Sequence, residues 1–111
     1  MTTERHFQVD GRVQGVMFRQ TLIRAAQKRG LRAAASNMPD GSVTFLLAGD
    51  PGKIEEIVTE LTSGREINSW GARVEKLSPL PENQRIPFEK HQVTTGNVDE
   101  FRWSTGVDMY L

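Results

Sequence analysis

The chain has 111 residues, in which 14 Lys plus Arg balance 14 Asp plus Glu, and it contains no cysteine. That length predicts one domain over 1–111 with a single modest core, so any active site is small. Zero net charge argues against a nucleic-acid or anionic-membrane partner, and the lack of cysteine excludes disulfide frameworks, thiolate nucleophiles and Cys-ligated zinc.

The polar start from Met1 to Arg5 has no apolar signal core and no membrane-length apolar run follows it, so a cytoplasmic location is expected. Arg5 to Val13 alternates, with Phe7, Val9, Gly11 and Val13 on one side and His6, Gln8, Asp10 and Arg12 on the other, which predicts a half-buried strand. After a Gly-containing turn, Phe18, Leu22, Ala25 and Ala26 recur at helical spacing until Gly30 supplies a left-handed stop. Leu31 to Ser36 is read as a strand although three consecutive alanines favour helix. Met38-Pro39-Asp40-Gly41 has turn chemistry, and Val43, Phe45 and Leu47 alternate behind it, so a hairpin is expected.

Asp50 caps a helix with Pro51 at its first position and Ile54, Ile57, Val58 and Leu61 as its buried stripe. Trp70, Ala72 and Val74 predict a fourth strand. Residues 78–99, with Pro79, Pro81 and Pro87, read as a polar loop or mobile excursion. Phe101 and Trp103 suggest a further strand in a C-terminal extension over 100–111.

The order strand, helix, strand, strand, helix, strand describes an α+β, ferredoxin-like sandwich (βαββαβ), an antiparallel sheet with both helices on one face and an extra C-terminal strand. The first helix crosses between the first two strands, so these run parallel and end at the same edge. The loop after Val13 and Asn37 are then neighbours.

Gln14, Gly15, Val16, Met17, Phe18 and Arg19 form a short loop that ends in a helix N-terminus and carries a cation. Converging backbone N–H groups and the helix dipole suit an anion, and the Arg19 fork matches two phosphate oxygens. The loop lacks the Gly-Lys-Ser/Thr ending of a nucleotide P-loop. Read in isolation, Gly15 makes a tight turn and Arg19 is a solvated helix residue, while Asn37 before its turn is an Asx-type cap.

Gly11-Arg12-Val13-Gln14-Gly15-Val16-Met17-Phe18-Arg19 resembles the acylphosphatase signature Gly-Arg-Val-Gln-Gly-Val-x-Phe-Arg at every fixed place. Asn37-Met38-Pro39-Asp40-Gly41-Ser42-Val43 is similar to that family's Asn-x-x-Asp-Gly-x-Val, and the resemblance runs from about Phe7 to Val74. It implies an acylphosphatase, a metal-independent hydrolase that splits the carboxyl-phosphate bond of a small-molecule acyl phosphate. In it the loop amides and Arg19 bind the phosphate and Asn37 orients the attacking water. Gln14 to Arg19 are then the phosphate-binding residues and Arg19 and Asn37 the catalytic ones, with no metal and no cofactor.

Where family members commonly carry Gly-Trp-Val and a basic residue, this chain has Ala33-Ala34-Ala35-Ser36. The apolar ending Met109-Tyr110-Leu111 is compatible with self-association, so a monomer or weak homo-oligomer is expected. His6 and His91 lie far apart without metal-site spacing and read as strand surface and loop; Trp70, Trp103 and Phe45 read as core or edge packing. The runner-up function is a binding or sensing module for a small phosphorylated metabolite such as carbamoyl phosphate, favoured if Asn37 faces away from the loop. RNA binding ranks third, because the strand from Ser42 to Ala48 offers only Phe45 as an aromatic.

Overall fold

A computed structural model describes residues 2–111. Thr3–Arg12 form β1, Phe18–Lys28 α1, Arg32–Asn37 β2, Val43–Gly49 β3, Pro51–Thr62 α2, Arg73–Pro79 β4 and Val93–Thr94 β5. The sheet order is β4-β1-β3-β2-β5 and every neighbouring pair is antiparallel. β1 and β2 consequently run in the same direction on either side of β3, and their C-terminal ends emerge together as the crossover predicts.

The two-residue period of the strands sends Phe7, Val9, Ala33, Ala35, Val43, Phe45 and Leu47 to one face, where Leu22 and Ile23 of α1 and Ile54, Ile57 and Leu61 of α2 cover them. Phe7 stands opposite Phe45 with ring centroids 5.3 Å apart. Burying each such side chain stabilises the fold by about 1.5–3 kcal/mol. Asp50 accepts a hydrogen bond from Lys53 N at 3.0 Å and so caps α2, with Pro51 in the first turn as the sequence indicated.

The alanine run is a strand because both of its faces are buried. Ala33, Ala34 and Ala35 are fully inaccessible, the first and third under α1 and the middle one on the outer face. Small side chains let layers approach from both sides, and that tertiary gain overrides the helical preference of alanine.

The outer layer is the stretch expected to be a free loop. It is pinned: Leu80 N donates to His6 O at 3.0 Å, Arg32 lies 4.2 Å from the Phe88 ring centroid, and Ser36 Oγ and His91 Nδ1 are 2.9 Å apart. It contains the short 3₁₀ turns Glu82–Gln84 and Phe88–Lys90. His6, expected on the strand surface, is buried beneath this strap, so that expectation is corrected; His91 lies in an irregular part of the strap as expected, but is itself buried.

Two further expectations are corrected. β4 begins at Arg73, leaving Trp70 outside it and exposed. The fifth strand is the β-branched pair Val93–Thr94 on the edge of β2, not the segment around Phe101 and Trp103. Phe101 is exposed, and the Trp103 indole N–H donates to Val107 O at 3.0 Å beneath the Arg24 guanidinium, an arrangement that needs no strand partner. The C-terminal residues fold back on their own chain, with Tyr110 N donating to Ile67 O at 2.9 Å and Leu111 packed against the core.

One irregularity aims the site. β1 and β4 slip register between Asp10 and Gly11, so the strand bends just before the loop. Gly11 has φ 131°, and a Cβ there would lie 2.6 Å from Arg73 O. Only glycine fits that approach.

Candidate active site

At the shared end of β1 and β2 a cavity of about 230 Å³ is lined by Gly15, Met17, Arg19, Asn37 and Trp70, with Val13, Phe18 and Gln20 beneath. The two sequence motifs therefore meet in one concavity. No carboxylate or histidine is among the lining residues.

The loop backbone is unusual. Gly15 has φ 76° and Met17 φ 61°, two left-handed residues within three positions, and Met17 is the N-cap of α1. Alternating hands turn successive peptide units toward a common centre, the geometry of an anion nest. Among the described residues, the N–H groups of Gly15, Val16, Met17, Phe18 and Arg19 donate to no protein acceptor.

The sequence-identified residues divide into two groups. Gln14 spends its side-chain amide on the hairpin, donating to Met38 O at 2.9 Å and Ser42 O at 2.8 Å, and so ties the loop to the turn after Asn37. Val16 and Phe18 turn their side chains to the core and offer the site only backbone. Arg19 and Asn37 bring side chains. Partial burial draws the Arg19 guanidinium below its ordinary pKa, and the group stays cationic at neutral pH. Asn37 Oδ1 is buried without a hydrogen-bond partner. The turn that carries Asn37 is held by Asp40, whose Oδ1 accepts from Ser42 N at 2.9 Å and Ser42 Oγ at 2.6 Å, holding its carboxyl below the usual range.

Three residues outside the motifs shape the site. Asn68 is completely buried and uses all four of its side-chain bonds. It donates to Val16 O at 2.8 Å and Thr21 Oγ1 at 2.9 Å, and accepts from Trp70 N at 3.0 Å and Ala72 N at 3.2 Å. It thus fastens the loop from Gln14 to Arg19 to the segment that carries Trp70. Trp70, expected in the packing, is 44% exposed and forms a cavity wall. Gln92 reaches in from the strap to contact both Arg19 and Asn37. Sequence reasoning missed these because no local pattern links them to the motifs; the contact between Arg19 and Gln92 spans 73 positions.

The acylphosphatase family model matches residues 5–93. An acylphosphatase from Thermococcus kodakarensis is 42% identical over 53 residues, which span 48% of this chain and 58% of that relative. One from Chlorobaculum tepidum is 40% identical over 65 residues, 58% of this chain and 71% of that relative. Among solved structures, acylphosphatase from Bacillus subtilis superposes with a TM-score of 0.61 at 30% identity, covering 82% of this chain and 92% of the other. The family model spans most of the chain and the fold superposes on a solved acylphosphatase, and the chain belongs to the acylphosphatase family.

Proposed function

We propose that the protein hydrolyses small-molecule acyl phosphates to a carboxylate and inorganic phosphate, with the loop from Gln14 to Arg19 holding the phosphoryl group and Asn37 orienting water. The observation that carries this reading is that Asn37, whose Oδ1 has no hydrogen-bond partner among the described residues, lines one cavity with Arg19 and the loop whose amides are free. An amide oxygen accepts a hydrogen bond from water and turns a lone pair of that water toward phosphorus. The Arg19 fork and the amides neutralise the equatorial oxygens as the bond to the leaving group lengthens. Asn68 supports the same geometry: by holding the Val16 carbonyl it points the N–H of the same trans peptide unit, that of Met17, the opposite way.

The water oxygen bonds to phosphorus and passes a proton to a phosphoryl oxygen, the bond from phosphorus to the acyl oxygen breaks, and the electron pair leaves on a carboxylate. Its conjugate acid has a pKa of roughly 4, so the leaving oxygen needs no protonation. That fits a cavity lined by neither carboxylate nor histidine. An alkoxide from a phosphomonoester has no such ease, and ordinary phosphatase activity is expected to be weak.

The test is steady-state hydrolysis of benzoyl phosphate with chelator present, comparing the intact chain with Arg19→Ala and Asn37→Ala. Each substitution is expected to lower kcat/KM by on the order of 10²-fold or more. A folded intact protein that leaves benzoyl phosphate untouched overturns the proposal.

A further inference from the structure

Gln92 lies outside both motifs, yet its side-chain carbonyl joins the two residues on which the proposed chemistry depends. Oε1 accepts from Arg19 Nη1 at 2.7 Å and from the backbone N–H of Asn37 at 2.8 Å. Among the described residues Arg19 has no carboxylate partner. Among the described residues its side chain bonds only to this amide.

The backbone of Gln92 is fastened on every side. Its N–H donates to Ser36 Oγ at 3.0 Å and its carbonyl accepts from Asn97 Nδ2 at 3.3 Å. Before it, the His91 ring is bonded to the same Ser36 hydroxyl; after it, Val93 pairs with Ala35. The strap therefore delivers one amide oxygen to a fixed point between β2 and α1. A guanidinium is planar, so holding Nη1 there fixes the plane and leaves Nη2 and Nε for two oxygens of an anion. A neutral acceptor does this without cancelling the cation's charge, as a carboxylate in its place does in part.

We infer that Gln92 is a positioning residue of the phosphate site, which orients the Arg19 fork and sets its distance from Asn37 while leaving the full positive charge for the substrate. This rests on the acylphosphatase reading for its effect on turnover, but not for its effect on phosphate binding.

Two variants of the full chain separate orientation from charge. Gln92→Met keeps the bulk and removes the acceptor; Gln92→Glu keeps the acceptor and adds a negative charge. Inorganic phosphate affinity is measured by calorimetry, kcat with benzoyl phosphate, and folding by thermal melting. Expected are a kcat lowered about tenfold in Gln92→Met and recovered to within about threefold of the parent in Gln92→Glu. Phosphate affinity falls in both, and in Gln92→Glu the loss shrinks as salt is raised. A purely structural role does not produce that split.

The inference is overturned if Gln92→Met keeps its kcat or binds phosphate as tightly as the parent, or if folded Gln92→Glu is as slow as Gln92→Met. A parent that is inert while Gln92→Met weakens its phosphate binding sinks the hydrolase reading and supports the placement of Gln92.

Discussion

Replacing Asn68 by alanine tests how far the shape of the loop from Gln14 to Arg19 is imposed from outside it. The substitution deletes four side-chain hydrogen bonds, two of them fully buried, and leaves Trp70 N, Ala72 N and the Val16 carbonyl without their partners. At about 1 kcal/mol net per bond the loss is roughly 4 kcal/mol. For a chain of this size that lowers the melting temperature on the order of 15 °C. The catalytic effect has a separate origin. Met17 sits at φ 61° while Asn68 holds the Val16 carbonyl, and a left-handed non-glycine residue costs about 1–2 kcal/mol. Once that carbonyl is released, the peptide unit between Val16 and Met17 is free to rotate back and turn the Met17 N–H away from the proposed phosphate position. Asn68→Ala, assayed well below its own melting point, is expected to lose at least about tenfold in kcat/KM for benzoyl phosphate. Asn68→Asp discriminates: it keeps acceptors for Trp70 and Ala72 but cannot donate to Val16, and its turnover is expected to fall with that of the alanine variant. Melting within about 5 °C of the parent, or an Asn68→Asp of undiminished kcat/KM, refutes the argument.

Trp70→Ala removes an exposed aromatic wall from the cavity; ring packing of this kind is worth roughly 0.5–1.5 kcal/mol. KM for benzoyl phosphate is expected to rise by about fivefold, with a smaller change for acetyl phosphate, and equal changes for both refute a role in holding the acyl group. His91 bears on pH. Burial, and after it the neighbouring His6, hold its pKa below the ordinary 6.5, against a smaller opposing contribution from the Ile86 backbone. The unfolded chain therefore takes up this proton at higher pH than the folded one does. Stability is expected to be fully present above pH ~6.5 and to decline as pH falls toward the folded value, by at most about 1.4 kcal/mol per pH unit for this one proton. Urea midpoints at pH 7.5 and 5.5 check this, and a His91→Asn variant with the same pH slope as the parent shows the proton is taken up elsewhere.

Much of the fold was legible because strand and helix periodicities are local. The stripe of α2 and the alternation around Phe45 needed no knowledge of distant residues. That Arg19 and Asn37 meet was legible for a different reason, since the order of elements implied that β1 and β2 end side by side. What stayed hidden depends on contacts that no local window contains. Whether Trp70 continues a strand or lines a cavity is decided by Asn68, which holds the Trp70 and Val16 backbones at once. Phe101 and Trp103 carry a strand-like apolar pattern, yet the edge of β2 is taken by Val93–Thr94, and the Trp103 ring is used by Arg24 instead. His6 and His91 look exposed along the chain because nothing in a polar, proline-bearing segment reveals that it lies flat across a sheet.

The shortness of β5 has a consequence for how the molecule meets its neighbours. Two paired residues are too few to satisfy the border of β2, and side chains complete the ladder at both ends. Ala33 N–H donates to Thr95 Oγ1 at 3.3 Å while Thr95 N–H returns a bond to Ala33 O at 2.9 Å, and Asn37 N–H is taken by the Gln92 amide. A hydroxyl and a carboxamide thus stand in for strand carbonyls. The backbone donors along this border are already engaged, so it offers an incoming chain little to copy, a safeguard against edge-to-edge aggregation. The same Gln92 oxygen that holds Arg19 also closes this end of the sheet, so one side-chain atom serves both the sheet border and the candidate site.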